Sequence, residues 1–273
     1  MRIFAVSDLH GAVGALESFI AKVREENVDI VTFSGDIVAE GARVREWMAA
    51  AQERRLPRCD LAEFHDEERD DLRVYTSFFK ALAETGKPCF VVPGNLDAPL
   101  DFFLHVALNR KVVAHNTCII HHRVSDKFSV PLSRDMHICG FGGEITEKNS
   151  EQFFGLIFPR VQALYAVEPF IDFPLPKALI LHTVPRLMHT RGSDVVEELI
   201  DTVRPSHVFC GAFDDLQGEK TVGTALVVCP GEMKKGHYAV VDSISNKVVF
   251  GKLEVGGPRT PSPPPDVVGA GKN

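Results

Sequence analysis

Ile3-Phe4-Ala5-Val6-Ser7-Asp8-Leu9-His10-Gly11 decides how the rest of the chain is read. Its first four residues are apolar without alternation, as a strand buried on both faces requires. The run then delivers a carboxylate and an imidazole, two residues apart, onto the loop at its end. Three later runs finish in the same way. Val28 to Phe33 ends at Ser34-Gly35-Asp36, Cys89 to Val92 ends at Pro93-Gly94-Asn95, and Ala178 to Leu181 ends at His182. Asp, His, Asp, Asn and His at successive strand ends are the donor types from which a two-metal phosphoester site is built.

Working outward, strands and helices alternate through the first third of the chain. The strand at 2–7 leads to a helix over 13–26, where Leu16, Phe19, Ile20 and Val23 make one apolar stripe at helical spacing. The strand at 28–33 precedes a long helical region over 40–84, punctuated by Pro57 and ended by Gly86-Lys87-Pro88. A strand at 89–92, a helix over 98–108 and a strand at 111–114 complete this half, and the alternation predicts parallel pairing. Beyond it come strands at 117–123 and 136–139, a helix over 150–166, a strand at 178–181, a helix over 193–203 and a strand at 207–210. Four final strands, at 220–223, 225–229, 237–242 and 246–252, read as hairpins with Pro230-Gly231 and Ser245-Asn246 in turns. The fold expected is α/β, a four-layer αββα sandwich of two mixed β-sheets flanked by helices. It forms one domain over 1–255. Residues 256–273 hold five Pro and four Gly and read as a disordered tail.

Composition narrows the function. A net charge of −7 over 273 residues gives no field for wrapping nucleic acid or holding an anionic membrane. No run approaches the ~20 apolar residues of a membrane span, and Asp8 interrupts the first apolar run too early for a signal peptide. Six scattered cysteines form no CxxC pair; Cys89, Cys118, Cys139, Cys210 and Cys229 fall in apolar runs and read as small hydrophobes, and reduced thiols fit a cytoplasmic location. The stretch 60–71 carries seven acidic residues against Arg69; it is a solvated helix face or helix–helix connection, or else a docking surface or lid.

A hydrolytic pair of metals needs a bridging carboxylate and separate N/O ligands for each ion, with the ions about 3.5–4 Å apart. Asp/Asn/His ligation suits Mn, Fe or Zn and argues against a thiolate site. Each fragment alone is weak, because Asp-x-His recurs at Asp135-Met136-His137 on an ordinary strand. Joint placement at separate strand ends carries the reading. His121 and His122 are neighbours on a strand, so they face opposite ways and cannot grip one ion together. Gly140-Phe141-Gly142-Gly143 reads as a tight turn on the rim of the site. Arg186 and His189 are loop residues within reach of a phosphate or plain parts of the loop.

On these motifs the chain resembles the calcineurin-like metallophosphoesterase superfamily over residues 1–252. The matching segments are Asp8-Leu9-His10, Gly35-Asp36, Gly94-Asn95-Leu96-Asp97, His182 and Gly211-Ala212-Phe213-Asp214, with Pro230-Gly231 as the turn that follows. The resemblance implies that Asp8 and His10 hold a first metal, that Asp36 bridges, and that Asn95 and His182 hold a second. Asp214 takes the place of the last histidine of the first metal. Two changes weaken the set: Leu96 stands where the family places a phosphate-contacting histidine, and Ala212 stands where it places a second-metal ligand. The expectation is a metal-dependent phosphoester hydrolase in which a metal-activated hydroxide attacks phosphorus, with Asp36 and Asn95 as catalytic residues. One or two divalent ions per chain and a phosphorylated small-molecule substrate go with it. The alternative is a degenerate scaffold that binds proteins through the acidic segment or the Pro-rich tail.

Overall fold

In the computed structural model, residues 1–109, 111–121, 123–125, 136–147, 155–174, 176–213 and 216–255 are described. The strands are β1 (Arg2–Val6), β2 (Ile30–Phe33), β3 (Cys89–Val91), β4 (Thr117–Ile119), β5 (Arg123–Ser125), β6 (His137–Phe141), β7 (Glu144–Thr146), β8 (Ile157–Pro159), β9 (Lys177–Leu181), β10 (His207–Phe209), β11 (Gly218–Val222), β12 (Ala225–Cys229), β13 (His237–Asp242) and β14 (Lys247–Lys252). The helices are α1 (Leu16–Glu25), α2 (Ala42–Glu53), α3 (Ala62–Thr85), α4 (Leu100–Ala107), α5 (Arg160–Val167) and α6 (Asp194–Val203).

Two six-stranded sheets form, ordered β14-β13-β1-β2-β3-β4 and β11-β12-β10-β9-β6-β5. The four strands β1 to β4 run parallel, as do β12, β10, β9 and β6, while β13 pairs antiparallel with β1 and β14, β11 with β12, and β5 with β6. Side chains of β1 show why two sheets must stack. Ile3 and Ala5 enter a core shared with Phe90, Ile138, Ile180, Phe209 and Val228, between the sheets. Phe4 and Val6 point the other way, into a core with Phe19, Val23, Phe78, Phe79 and Phe103 of α1, α3 and α4. A third core packs Leu179, Leu181 and Val208 against Ala163, Val167, Val196 and Leu199 of α5 and α6. Three apolar seams between four layers make the expected αββα sandwich. Because the central strands are parallel, their C-terminal ends meet along one edge, and the site residues lie there.

Four expectations change. Residues 111–114 form a turn rather than a strand, although Val113 stays buried in the helix-side core. The run 117–123 splits: β4 pairs with β3, the chain crosses at Ile120, and β5 pairs antiparallel with β6 in the other sheet. The helix expected from 150 is α5, starting only at Arg160, with β8 before it and Pro159 as its N-cap; residues 150–154 lie outside the described residues. Pro230-Gly231 closes no hairpin, since β12 and β13 belong to different sheets. By contrast β11–β12 and β13–β14 are true hairpins. The Pro-rich tail lies outside the described residues.

Phe209 is fully buried between the sheets. Phe209→Ala should lower unfolding free energy by about 3–5 kcal/mol, measured by urea denaturation.

Candidate metal centre

The loops after β1 and β2 are laced together by backbone hydrogen bonds before any side chain takes part. Asp8 N–H donates to Gly35 O at 2.9 Å, His10 N–H to Asp36 O at 3.0 Å, and Gly11 N–H to Ile37 O at 2.9 Å. These contacts hold Asp8, His10 and Asp36 in left-handed backbone conformations, with φ of 57°, 46° and 59°. Such conformations cost of order 1–3 kcal/mol each at non-glycine residues and persist only where the surroundings impose them. Gly35 is required in turn: a Cβ there would lie 2.5 Å from Gly94 N and 2.8 Å from His182 Nδ1.

The result is a cluster in which one ligand atom from each of Asp8, His10 and Asp36 lies within 4.8 Å of the others. His10 Nε2 stands 3.6 Å from Asp8 Oδ1. Asp8 is almost wholly buried, and burial, reinforced by the nearby Asp36 charge and opposed by His182, pushes its carboxyl up to about 7. A buried pair of carboxylates of this kind is relieved by a cation.

His182 supplies the second observation. Its ring is fully buried, and Nδ1 lies 2.7 Å from Ser34 O. A carbonyl only accepts, so Nδ1 carries a proton, and when a cation binds Nε2 is left to present its lone pair. That lone pair faces Asn95 Oδ1 at 2.8 Å and Asp36 Oδ2 at 3.5 Å. Convergent lone pairs, with the ring oriented from behind by a carbonyl, are the arrangement of a metal-ligating histidine. Thus the structure gathers Asp8, His10 and Asp36 into one cluster and sets Asn95 and His182 together beside Asp36. The donor set fits divalent ions. Asp214 lies outside the described residues, as does Asp135 of the second Asp-x-His; His137 there packs its ring on Phe173.

Several contributors have no side-chain signature. Leu96 N–H donates to Asp36 Oδ1 at 2.9 Å, and Ala212 N–H sits 3.2 Å from Asp8 Oδ2. Gly211 is needed beside Ala212, since a Cβ would come within 1.9 Å of Ser7 Oγ and 2.6 Å of Asp8 Oδ2. The fully buried Asp97 accepts from Ile37 N, Val38 N, Gly94 N and the Tyr75 hydroxyl, and so clamps the Asp36 loop to the Asn95 loop. Burial raises its carboxyl above the usual range against the pull of those donors. Gly143 N–H bonds Pro93 O at 2.8 Å, which places the glycine-rich turn on the rim as expected. His121 accepts from Gly142 N–H and packs against Phe141 and Phe158, a supporting role; His122 lies outside the described residues.

Asn95 and His182 open onto a cavity of about 650 Å³, also lined by Glu144, Arg186, Arg191 and Phe213. Arg186 is tied to Asp194, Thr190 O and Glu147. His189 stacks on Phe213 with ring centroids 4.3 Å apart. The acidic stretch lies on α3, where Glu67 and Asp71 pair with Arg43 of α2, a helix–helix connection. All six cysteines are free thiols. Among the described residues no helix is long and apolar enough to cross a membrane.

The chain belongs to the calcineurin superfamily of metallophosphoesterases: the family described as "Metallophosphoesterase, calcineurin superfamily" matches residues 1–253. Members of that family are metal-dependent phosphoester hydrolases. One similar crystal structure shares 26% identity at a TM-score of 0.81, covering 92% of this chain and 98% of its own. TT1561 of Thermus thermophilus is similar at 24% identity and a TM-score of 0.71, with the same coverage of both chains. A dimetal phosphatase from Danio rerio shares the fold at 12% identity and a TM-score of 0.54, covering 93% of this chain and 96% of its own. No curated protein sequence matches the chain significantly.

Two outcomes follow from this geometry. In the metal-free protein, Asp8 titrates near 3.8 unfolded and about 7 folded. Between these values the folded state keeps a proton that the unfolded state has released. Stability therefore falls as pH rises through this window, by about 1.4 kcal/mol for each pH step of one. Unfolding in EDTA should show this slope relative to Asp8→Asn, and saturating Mn²⁺ should remove it. Separately, Asp97→Ala should cost about 3–5 kcal/mol by stranding buried donors. Asp97→Asn should cost less, yet still weaken metal binding ~10–100-fold in a competition titration.

Proposed function

We propose that the protein is a two-metal phosphoester hydrolase acting on a phosphorylated small molecule. The observation that carries this reading is the convergence of Asp8 and His10, and of His182 with Asn95, on Asp36, next to an open cavity. Asp8, His10 and Asp36 would hold one ion; Asp36, Asn95 and His182 would hold the other, with Asp214 as the residue the family pattern adds to the first. When bound, such ions supply Lewis acidity and lower the pKa of water.

Everything else is the work of the chain. Leu96 N–H and Ala212 N–H hold the Asp36 and Asp8 carboxylates in orientation, and Ser34 O fixes the His182 tautomer. The Asn95 amide is the neutral donor placed to meet a phosphoryl oxygen as charge develops on it. Leu96 brings no side-chain proton donor to the place beside Asn95. General acid help is typically worth ~10²–10⁴-fold, so substrates whose leaving group departs without a proton are favoured.

Protein purified without chelators and loaded with Mn²⁺ should hydrolyse p-nitrophenyl phosphate, and Asp36→Asn should lower kcat/KM at least 100-fold. Elemental analysis should return up to two ions per chain, falling in His182→Ala. Turnover equal to that of Asp36→Asn on both phosphomonoester and phosphodiester substrates would overturn the reading.

A further inference from the structure

Resting on the hydrolase reading above, we propose that the substrate is a phosphoanhydride, two phosphates joined through one oxygen, and that Arg191 binds the phosphate that leaves. Arg191 lines the same cavity as Asn95 and His182. Its guanidinium lies 4.6 Å from the centre of the Phe213 ring. Phe213 directly follows Ala212, whose N–H reaches Asp8, so the cation is mounted one residue beyond the metal-binding floor. A guanidinium carries its donors in one plane as a fork, the geometry that matches phosphate.

The mounting is rigid. Val184 O accepts from Ser193 N–H at 3.0 Å and His189 O accepts from Gly192 N–H at 2.7 Å, closing the loop that carries Arg191. A Cβ on Gly192 would meet Pro185 O at 2.5 Å, so the loop is drawn as tight as backbone allows. His189 backs the other ring partner: its Nδ1 accepts from Arg191 N–H at 3.2 Å while its ring stacks on Phe213.

Chemistry then chooses the substrate. Arginine stays protonated throughout the accessible pH range, so Arg191 stabilises negative charge but supplies no proton. Leu96 supplies none either. An alkoxide leaving group needs one, whereas a phosphate monoester, with a second pKa near ~6, departs as an anion at neutral pH. A cation without a proton donor therefore suits a departing phosphate. In the step, the oxygen of water bonds to the terminal phosphorus and the bridging P–O bond breaks. Its electron pair goes to the departing phosphate against Arg191. One proton of the water stays on the new phosphate and one is released, so that the trianionic diphosphate gives two dianions and a proton.

The test compares ADP and inorganic pyrophosphate with p-nitrophenyl phosphate on the Mn²⁺-loaded protein. Wild type should favour the diphosphates, and Arg191→Ala should lower the ratio of kcat/KM for ADP to that for p-nitrophenyl phosphate at least tenfold, mostly through KM, with Arg191→Lys restoring part of it. Calorimetry with methylenediphosphonate should show binding weakened at least tenfold by Arg191→Ala, independent of turnover. An unchanged ratio and unchanged methylenediphosphonate affinity would overturn the assignment while leaving the hydrolase reading intact. Arg191-dependent binding without hydrolysis of any substrate would instead sink the hydrolase reading and keep the anion site.

Discussion

One buried carboxylate organises the edge on which the site stands. Asp97 has no solvent contact and accepts hydrogen bonds from two backbone N–H groups after Asp36, one before Asn95, and one hydroxyl from α3. Bonds to a charged group contribute roughly 1.5–3 kcal/mol each, and together they offset part of the cost of burying the charge. Their direction matters more than their sum. Asp36 and Asn95 belong to different loops, and their side-chain oxygens meet His182 because Asp97 fixes one loop against the other. Through Tyr75 the same carboxylate reaches α3, where Asp71 one turn earlier pairs with Arg43 of α2. A helix layer remote from the metals is thereby tied to the position of a ligand.

Ala212 shows how much of this site is backbone. It holds φ at 78°, a conformation that glycine adopts more cheaply, and offers no side-chain donor. What it offers is an N–H aimed at Asp8. The loss of a histidine from this place in the family pattern removes one donor to the second ion but leaves the amide that orients the first. Leu96 repeats the arrangement: the acid is absent, while the N–H to Asp36 Oδ1 remains. In the proposed hydrolase, weakening would fall on the proton-transfer and second-ion functions, while the backbone donors to both carboxylates persist.

The strand ends were legible because parallel strands covered on both faces are continuous apolar runs, and a polar residue breaking such a run marks the loop. Asp8, Asp36, Asn95 and His182 were all found that way, and the layers followed from the alternation. Register and sheet membership were not legible. Nothing in 117–125 signals that Thr117 joins one sheet and Arg123 the other, because both edges are short and the crossing is settled by what they pack against. The start of α5 had a readable mark in Pro159, whose place before a helix is a standard start signal, but the apolar spacing around it masks the boundary. Asp97 was visible as part of a motif without a role, since its value lies in four donors, three of them from two distant segments.

The chemistry of the cavity follows from where charge can and cannot be answered. Beside the donors for metal, the walls offer a guanidinium on Phe213 and a second one, Arg186, whose donors go to Asp194, Thr190 O and Glu147. Arg186 thus serves the loop that Arg191 stands on. In a chain of net charge −7, long-range attraction does not gather anions, so on the proposed reading recognition of a phosphorylated substrate would rest on local charges and on the ions themselves. That places selectivity in geometry near Phe213, one residue beyond the amide that orients Asp8, where a displacement of the ring shifts the anion seat and the metal floor together.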